Sequence, residues 1–434
     1  MRIIQITPGT GNFYCGACQR DHALVTALRA MGHDVMMVPL YLPIVTDEPR
    51  GLAPEPIFFG GINVFLQQKS AFFRKTPRWL DKVFDFRPLL SLSSKAAGMT
   101  RPHDLGIITL SMLRGEEGQQ LKELDRLLEW LKSQPRPDVI CLSNALLAGM
   151  ARRLKQELGV PVVCALQGED YFLDDLVEPY SRQAWEELTA RAQDVDLFIA
   201  VSRYFGAMMS ERLHLGPGRV VVVHNGIRPD GFSPAATPPH PPVLGFLAFM
   251  SQVKGLEILV EAFITLKQRG RVPGLKLRAA GTVAGSTTEF LKGLRDKLAA
   301  AGFADDAEFL PELNRVQKQE FLRTVSVFSV PATYGEAFGL YLLEAMASGL
   351  PLVQPRHGPF PELLEATGGG LLCADDDPAA LVAALEELLL DPARARALGE
   401  KGRQAVIEQF GVERMARAVA GHLENVIARA GGNR

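Results

Sequence analysis

The sequence predicts an α/β protein made of two doubly wound parallel-sheet domains that face each other across a cleft. Short β-branched runs alternate with longer helical periods, the pattern of parallel sheets covered by helices. A proline-rich stretch interrupts that alternation once near the middle, and 434 residues are too many for one ordinary core.

The first βα unit is a strand at 3–7, a glycine-rich loop at 8–16 and a helix at 20–31 that stops at Gly32; a second strand follows at 35–38. Further strands are expected at 138–142, 160–166, 197–201 and 220–223. Residues 43–115 hold Pro, Phe and Arg in no firm period and read as inserted helices and loops, with one helix at about 72–84. The text of 229–242 carries too many prolines to continue a helix or a central strand, and marks the boundary. A second series then runs as strand 243–249, helix 255–269, strand 275–280, helix 288–301, strand 308–310, helix 317–324, strand 325–330, helix 339–348 and strand 351–354. The tail from 378 is helical. The expected domains are 1–230 and 243–408, with 409–434 a C-terminal helix placed to pack back on the first domain. Open α/β sheets bind ligands outside the carboxyl ends of their strands, so the cleft is a natural site for two substrates.

Composition excludes several classes. Hydrophobic residues make up 47% and charged residues 22%, and the net charge is -2, so no global field favours nucleic acid. No basic stripe with interleaved aromatics substitutes for one. The start, Met1-Arg2-Ile3-Ile4-Gln5-Ile6, reads as a strand rather than a secretory leader, and no apolar run approaches the roughly 20 residues needed to cross a bilayer. Five cysteines, an odd number, suit reduced thiols and a cytoplasmic location.

The chemistry concentrates in residues 331–351, Pro-Ala-Thr-Tyr-Gly-Glu-Ala-Phe-Gly-Leu-Tyr-Leu-Leu-Glu-Ala-Met-Ala-Ser-Gly-Leu-Pro. A buried strand ends at Pro331, and a helix opens near Gly339, where N–H groups and an open backbone suit a diphosphate. Glu336 and Glu344 are not spaced as a retaining glycosidase pair: eight helical residues rise about 12 Å, against about 5–5.5 Å between such carboxyls. One acid sits in the loop and the other a turn into the helix, so they would meet different parts of one extended ligand. An acid near a helix N-terminus is also favoured by the dipole alone. Loop, spacing and the following Ala-Met-Ala-Ser-Gly-Leu-Pro together outweigh that reading.

This segment resembles the E-x7-E signature of family four of the retaining nucleotide-sugar glycosyltransferases, which have the GT-B fold of two Rossmann-like domains. The resemblance extends to Val253-Lys254-Gly255-Leu256-Glu257 with the helix after it, to Phe309-Leu310-Pro311, to 368–377, and to His224-Asn225-Gly226-Ile227 with Phe232-Ser233-Pro234. It implies that Glu344 binds the nucleotide ribose and that Glu336 orients the transferred sugar. Lys254 would neutralise the diphosphate, and the backbone of Ala337, Phe338 and Gly339 would approach the donor. The donor would be a nucleoside diphosphate-sugar, UDP- or GDP-linked by preference, with no cofactor and no metal.

Two positions depart from the family. Its arginine five residues before the lysine is Phe249 here, and Arg356 is the candidate replacement, set against the plainer reading of a solvated loop arginine. Where many members carry a histidine after the strand at 160–166, this chain has Gln167-Gly168-Glu169-Asp170. Gln167 can hydrogen-bond a hydroxyl but cannot exchange a proton near neutral pH, so Asp170 or Glu169 is the alternative, each also suited to capping a turn.

The loop at 8–22 would face the cleft, with Gly11 and Asn12 as candidate donor contacts. Its Cys15-x-x-Cys18 reads first as semi-buried packing thiols. A redox pair at a helix start and a zinc site with His22 and Cys141 or Cys164 rank below that. Asp375-Asp376-Asp377-Pro378 reads as a helix cap rather than a metal motif. The helix at 72–84, with Arg74, Lys75, Arg78, Trp79 and Lys82, is a candidate peripheral contact with an anionic membrane face, although such a helix more often packs on its own domain. The acceptor is not legible. The rival readings are a non-catalytic or redox-regulated sugar-nucleotide-binding protein and a sugar-nucleotide epimerase.

Overall fold

The structure, a computed structural model, describes residues 1–9, 16–41, 102–283 and 287–432. Gly11, Asn12, Cys15 and the helix expected at 72–84 lie outside the described residues. The chain divides into two compact units, Met1–His224 together with Val412–Arg434, and Asn225–Gly411.

The first unit holds strands β1 (Arg2–Thr7), β2 (Asp34–Pro39), β3 (Val139–Leu142), β4 (Val162–Leu166), β5 (Leu197–Ala200) and β6 (Val220–Val222). They form one sheet in the order β2-β1-β3-β4-β5-β6. Every pairing is parallel, with Ile3 opposite both Val35 and Val139. Strands β3, β4 and β5 are buried along their full length, as expected where helices cover both faces of a parallel sheet. The helix Gly16–Ala30 presents Leu24, Val25 and Leu28 to a core that includes Ile3 and Val35. The C-terminal helix Val412–Gly432 adds Met415, Val419, Leu423 and Val426 to the same core.

The second unit holds β7 (Val243–Leu247), β8 (Lys276–Gly281), β9 (Ala307–Pro311), β10 (Val327–Phe328), β11 (Leu352–Pro355) and β12 (Gly370–Cys373). Their order, β12-β11-β10-β7-β8-β9, is again wholly parallel. Counted from β7, this is the Rossmann order, whose direction reverses between β7 and β10. β10 is shorter than the 325–330 expected, although Ser326 and Ser329 on either side still donate to the carbonyls of Val243 and Gly245. β12 was not foreseen as a strand. The stretch from 228 belongs to this unit: Arg315 donates to the carbonyls of Arg228 and Asp230, Arg323 to that of Gly231, and Arg403 to that of Phe232. Asp377 caps the helix Pro378–Leu390 by accepting from the Ala380 N–H at 3.0 Å. Among the described residues no helix is long and apolar enough to cross a membrane.

Candidate active site

The two loops that leave the switch point of the second sheet are pressed together by a glycine. Gly255 adopts φ 73°, and a Cβ there would lie 1.8 Å from the Pro331 carbonyl oxygen. Only a residue without a side chain lets the loop after β7 lie this close to the loop after β10. Thr333 N–H then donates to the Val253 carbonyl at 3.0 Å. The residues beside these contacts, Lys254 on one loop and Tyr334 and Glu336 on the other, are thereby brought within reach.

They form a compact polar group. The Lys254 ammonium donates to both the Glu336 carboxylate and the Tyr334 hydroxyl. It lies 4.8 Å from the centre of the Tyr334 ring and 5.7 Å from that of Tyr341, close enough for cation–π attraction. Tyr341, in the first turn of the helix Leu340–Ala347, donates its hydroxyl back to Glu336 at 3.0 Å. Burial works against charge on Glu336, yet the Lys254 ammonium and the bonds from Lys254, Tyr341 and Tyr334 hold its carboxyl below the usual range. Burial, reinforced by the Glu336 charge, pushes the Tyr341 phenol well above its ordinary value. Glu336 is therefore a charged acceptor and Tyr341 a fixed donor.

Gly339 opens the same helix at φ 87°; its carbonyl accepts from the Leu342 N–H at 3.0 Å, whereas N–H groups at the very start of a helix have no intrahelical acceptor. Ala337 and Phe338, just before it, are buried. Glu344 sits one turn in and pairs with Lys318 at 3.0 Å; the two side chains are 15% and 7% exposed. The loop after β11 closes on this group, since Gly358 lies against the backbone of Glu336 and Gly335. Arg356 on that loop pairs with Glu365 at 3.5 Å, both side chains well exposed. Its neighbour His357 pairs with Asp375 at 2.8 Å. Phe249 stands 38% exposed after β7.

In the first unit, Gln167 donates its side-chain amide to the Ser143 carbonyl at 2.5 Å and to Asp21 at 3.4 Å. Asp21 is fully buried beside Arg20, and burial raises its carboxyl despite that guanidinium. Glu169 accepts from the N–H groups of Ala145, Gln167 and Gly168, so it ties the loops after β3 and β4 together. Burial nonetheless raises its carboxyl. Asp170, half-buried, is also raised by burial, and its Oδ1 is buried with no hydrogen-bond partner. Cys18 is buried with its sulfur 3.6 Å from the Thr7 hydroxyl.

Lys254, Glu336 and the backbone before Gly339 thus gather at one switch point, and Glu344 lies one helical turn beyond. Gln167 and Asp170 belong to the other unit. Tyr334, Tyr341 and Lys318 were not singled out from sequence: Tyr334 lies in the loop before the helix, and at positions 341 and 318 helical periodicity alone would accept any residue.

Fold and site define the chain as a glycosyltransferase of the GT-B class. Residues 229–405 match the family Glycosyl transferases group 1, and residues 22–230 match Glycosyltransferase Family 4. Among curated relatives, glycogen synthase of Mycobacterium tuberculosis is 26% identical over 427 residues, 97% of this chain and 94% of that protein. The mannosyltransferase LpsB of lipopolysaccharide core biosynthesis from Rhizobium meliloti is 33% identical over 178 residues, 40% of this chain and 49% of its own. Sucrose-phosphate synthase from Thermosynechococcus elongatus has a similar fold, with a TM-score of 0.70, 18% identity and coverage of 99% and 100% of the two chains. HepE of Anabaena, solved in complex with UDP-glucose, gives 0.65 at 14% identity over 98% and 99%. The two family matches together span residues 22–405 and support a GT-B glycosyltransferase of the family-four type.

Proposed function

We propose that the protein transfers a hexose-type sugar from a nucleoside diphosphate donor to an acceptor hydroxyl, with retention of anomeric configuration and without a metal. The observation that carries this is the charged Lys254–Glu336 pair beside the opening of the helix Leu340–Ala347. Lys254 and that helix start supply positive potential for a diphosphate. Glu336, ionised and aligned by Tyr341, is an acceptor for sugar hydroxyls, and Glu344 one turn on is an acceptor for the ribose. The backbone of Ala337, Phe338 and Gly339 lies against the donor, with Gly11 and Asn12 as further contacts and Arg356 as a second cation on rearrangement of its exposed pair. Gln167 and Asp170 are the polar groups assigned to the reacting hydroxyls. A uridine donor is favoured, because the similarly folded HepE was solved with UDP-glucose.

The acceptor oxygen bonds to the anomeric carbon as the bond from that carbon to the phosphate oxygen breaks. The electron pair leaves with the diphosphate, which takes the acceptor proton on the same face. The protein contributes positioning and electrostatics rather than a covalent nucleophile. Cys141, Cys164 and Cys373 are buried thiols, and a reducing, cytoplasmic compartment is part of this reading.

The test is calorimetric titration with a panel of nucleoside diphosphates and their sugars, followed by transfer assays with the donor that binds. One base should bind and lose affinity in Glu344→Ala, and Lys254→Ala should abolish transfer. Unchanged transfer in both variants would sink the proposal.

A further inference from the structure

Lys318 is an unusual residue to find inside a helix interface. Its side chain is 7% exposed, on the helix Arg315–Arg323, and its ammonium lies 3.0 Å from Glu344 Oε1. Lysine is almost never buried unless paired, and a buried ion pair adds little to stability compared with apolar side chains of the same volume. A leucine or methionine would pack this position at no such cost. The helix is also anchored where it carries the lysine. Asn314 and Gln317 form a reciprocal capping box with both bonds at 3.0 Å, one residue before Lys318. Arg315 ties the same turn to the carbonyls of Arg228 and Asp230. The ammonium is thus delivered to Glu344 by a fixed turn rather than by a loose surface chain.

We infer that Lys318 is a positioning residue for the nucleotide: it engages one carboxylate oxygen of Glu344, so that the other faces the 2′,3′-diol of a ribose. A carboxylate is an acceptor only, and a diol supplies two donors. Hydrogen bonds to a charged acceptor are roughly twice as strong as those to a neutral one. Lys318 therefore makes the site discriminate ribose from deoxyribose, beyond adding to general affinity. This inference rests on the nucleotide-sugar reading above and concerns a residue that reading does not use.

The experiment measures equilibrium binding of UDP and 2′-deoxy-UDP, and of GDP and 2′-deoxy-GDP, to the intact protein and to Lys318→Met, Lys318→Arg and Glu344→Gln, with a melting curve for each. The wild type should prefer the ribose form of its nucleotide by about tenfold or more, as a charge-assisted bond predicts. In Lys318→Met and Glu344→Gln that ratio should fall towards one, and Lys318→Arg should restore it. Should Lys318→Met fail to fold, Lys318→Gln carries the same readout. A Lys318→Met protein that binds both forms more weakly but keeps their ratio would show a prop for the helix and overturn the inference. A wild type that binds without preference would overturn it while leaving the donor reading intact. Binding of neither pair would overturn both.

Discussion

Glu336 keeps its charge where burial opposes it, and the side chains around it explain how. Lys254 provides the counter-charge, Tyr341 donates a hydroxyl from the next helical turn, and both tyrosine rings border the ammonium. Replacing Tyr341 with Phe keeps the ring and removes one bond to a charged acceptor. Transfer should fall about tenfold in kcat/KM, the cost of about 1.5 kcal/mol typical of such a bond. The lowered carboxyl of Glu336 also has a consequence for folding. A group whose folded pKa lies below its unfolded one stabilises the protein above the unfolded value and loses that contribution as pH falls through the folded value. Between about pH 5 and about pH 3 the wild type should therefore lose more stability than Glu336→Gln, measured by urea unfolding across that range.

Gly255 couples one βα loop to another. With φ at 73° and the Pro331 carbonyl 1.8 Å from where a Cβ would stand, Gly255→Ala combines left-handed backbone strain with a backbone clash. It should cost more than about 2 kcal/mol and separate Lys254 from Glu336; thermal melts and transfer assays read the two effects. The glycine itself was legible, as was most of the second sheet. β7 and β8 lie close to the expected ranges because apolar runs there are bounded by glycine and proline. β12, Gly370–Cys373, was not legible, since Gly-Leu-Leu-Cys contains no β-branched residue and becomes a strand only by pairing with β11. The site divided along the same line. Glu336 and Glu344 were visible because spacing and loop chemistry mark them, and Lys254 through the family resemblance alone. Lys318 was not, because a lysine in a helical pattern normally faces water, and only a partner 26 residues away reveals that this one does not. Tyr341 was hidden likewise, since periodicity cannot show that a phenol turns back to a loop carboxylate.

Across the whole molecule, the end of the chain completes the first unit. Leu423 on the helix Val412–Gly432 is fully buried in the core shared with Leu24, Val25 and Leu28. Leu423→Ala should cost about 2–5 kcal/mol. The loss should appear as faster hydrogen exchange in the helix Gly16–Ala30 and in β1 and β2, with residues 225–411 unchanged. Exchange that accelerated equally in both units would contradict this assignment of the helix.

The second unit is also closed at its own ends. Ile227 N–H donates to the Phe410 carbonyl at 2.9 Å, and Ile227 pairs with Gly411 in a parallel bridge, so entry and exit of that unit are bonded side by side. During synthesis the two halves therefore mature in an order opposite to their position in the gene. Residues 225–411 can close as soon as they emerge from the ribosome, whereas the helix Gly16–Ala30, made far earlier, waits with an apolar face uncovered until residues 412–432 arrive. A unit split around another is thus finished after the unit inserted into it, and a ribosome that stalls just after residue 411 releases a chain whose second unit is whole and whose first is not.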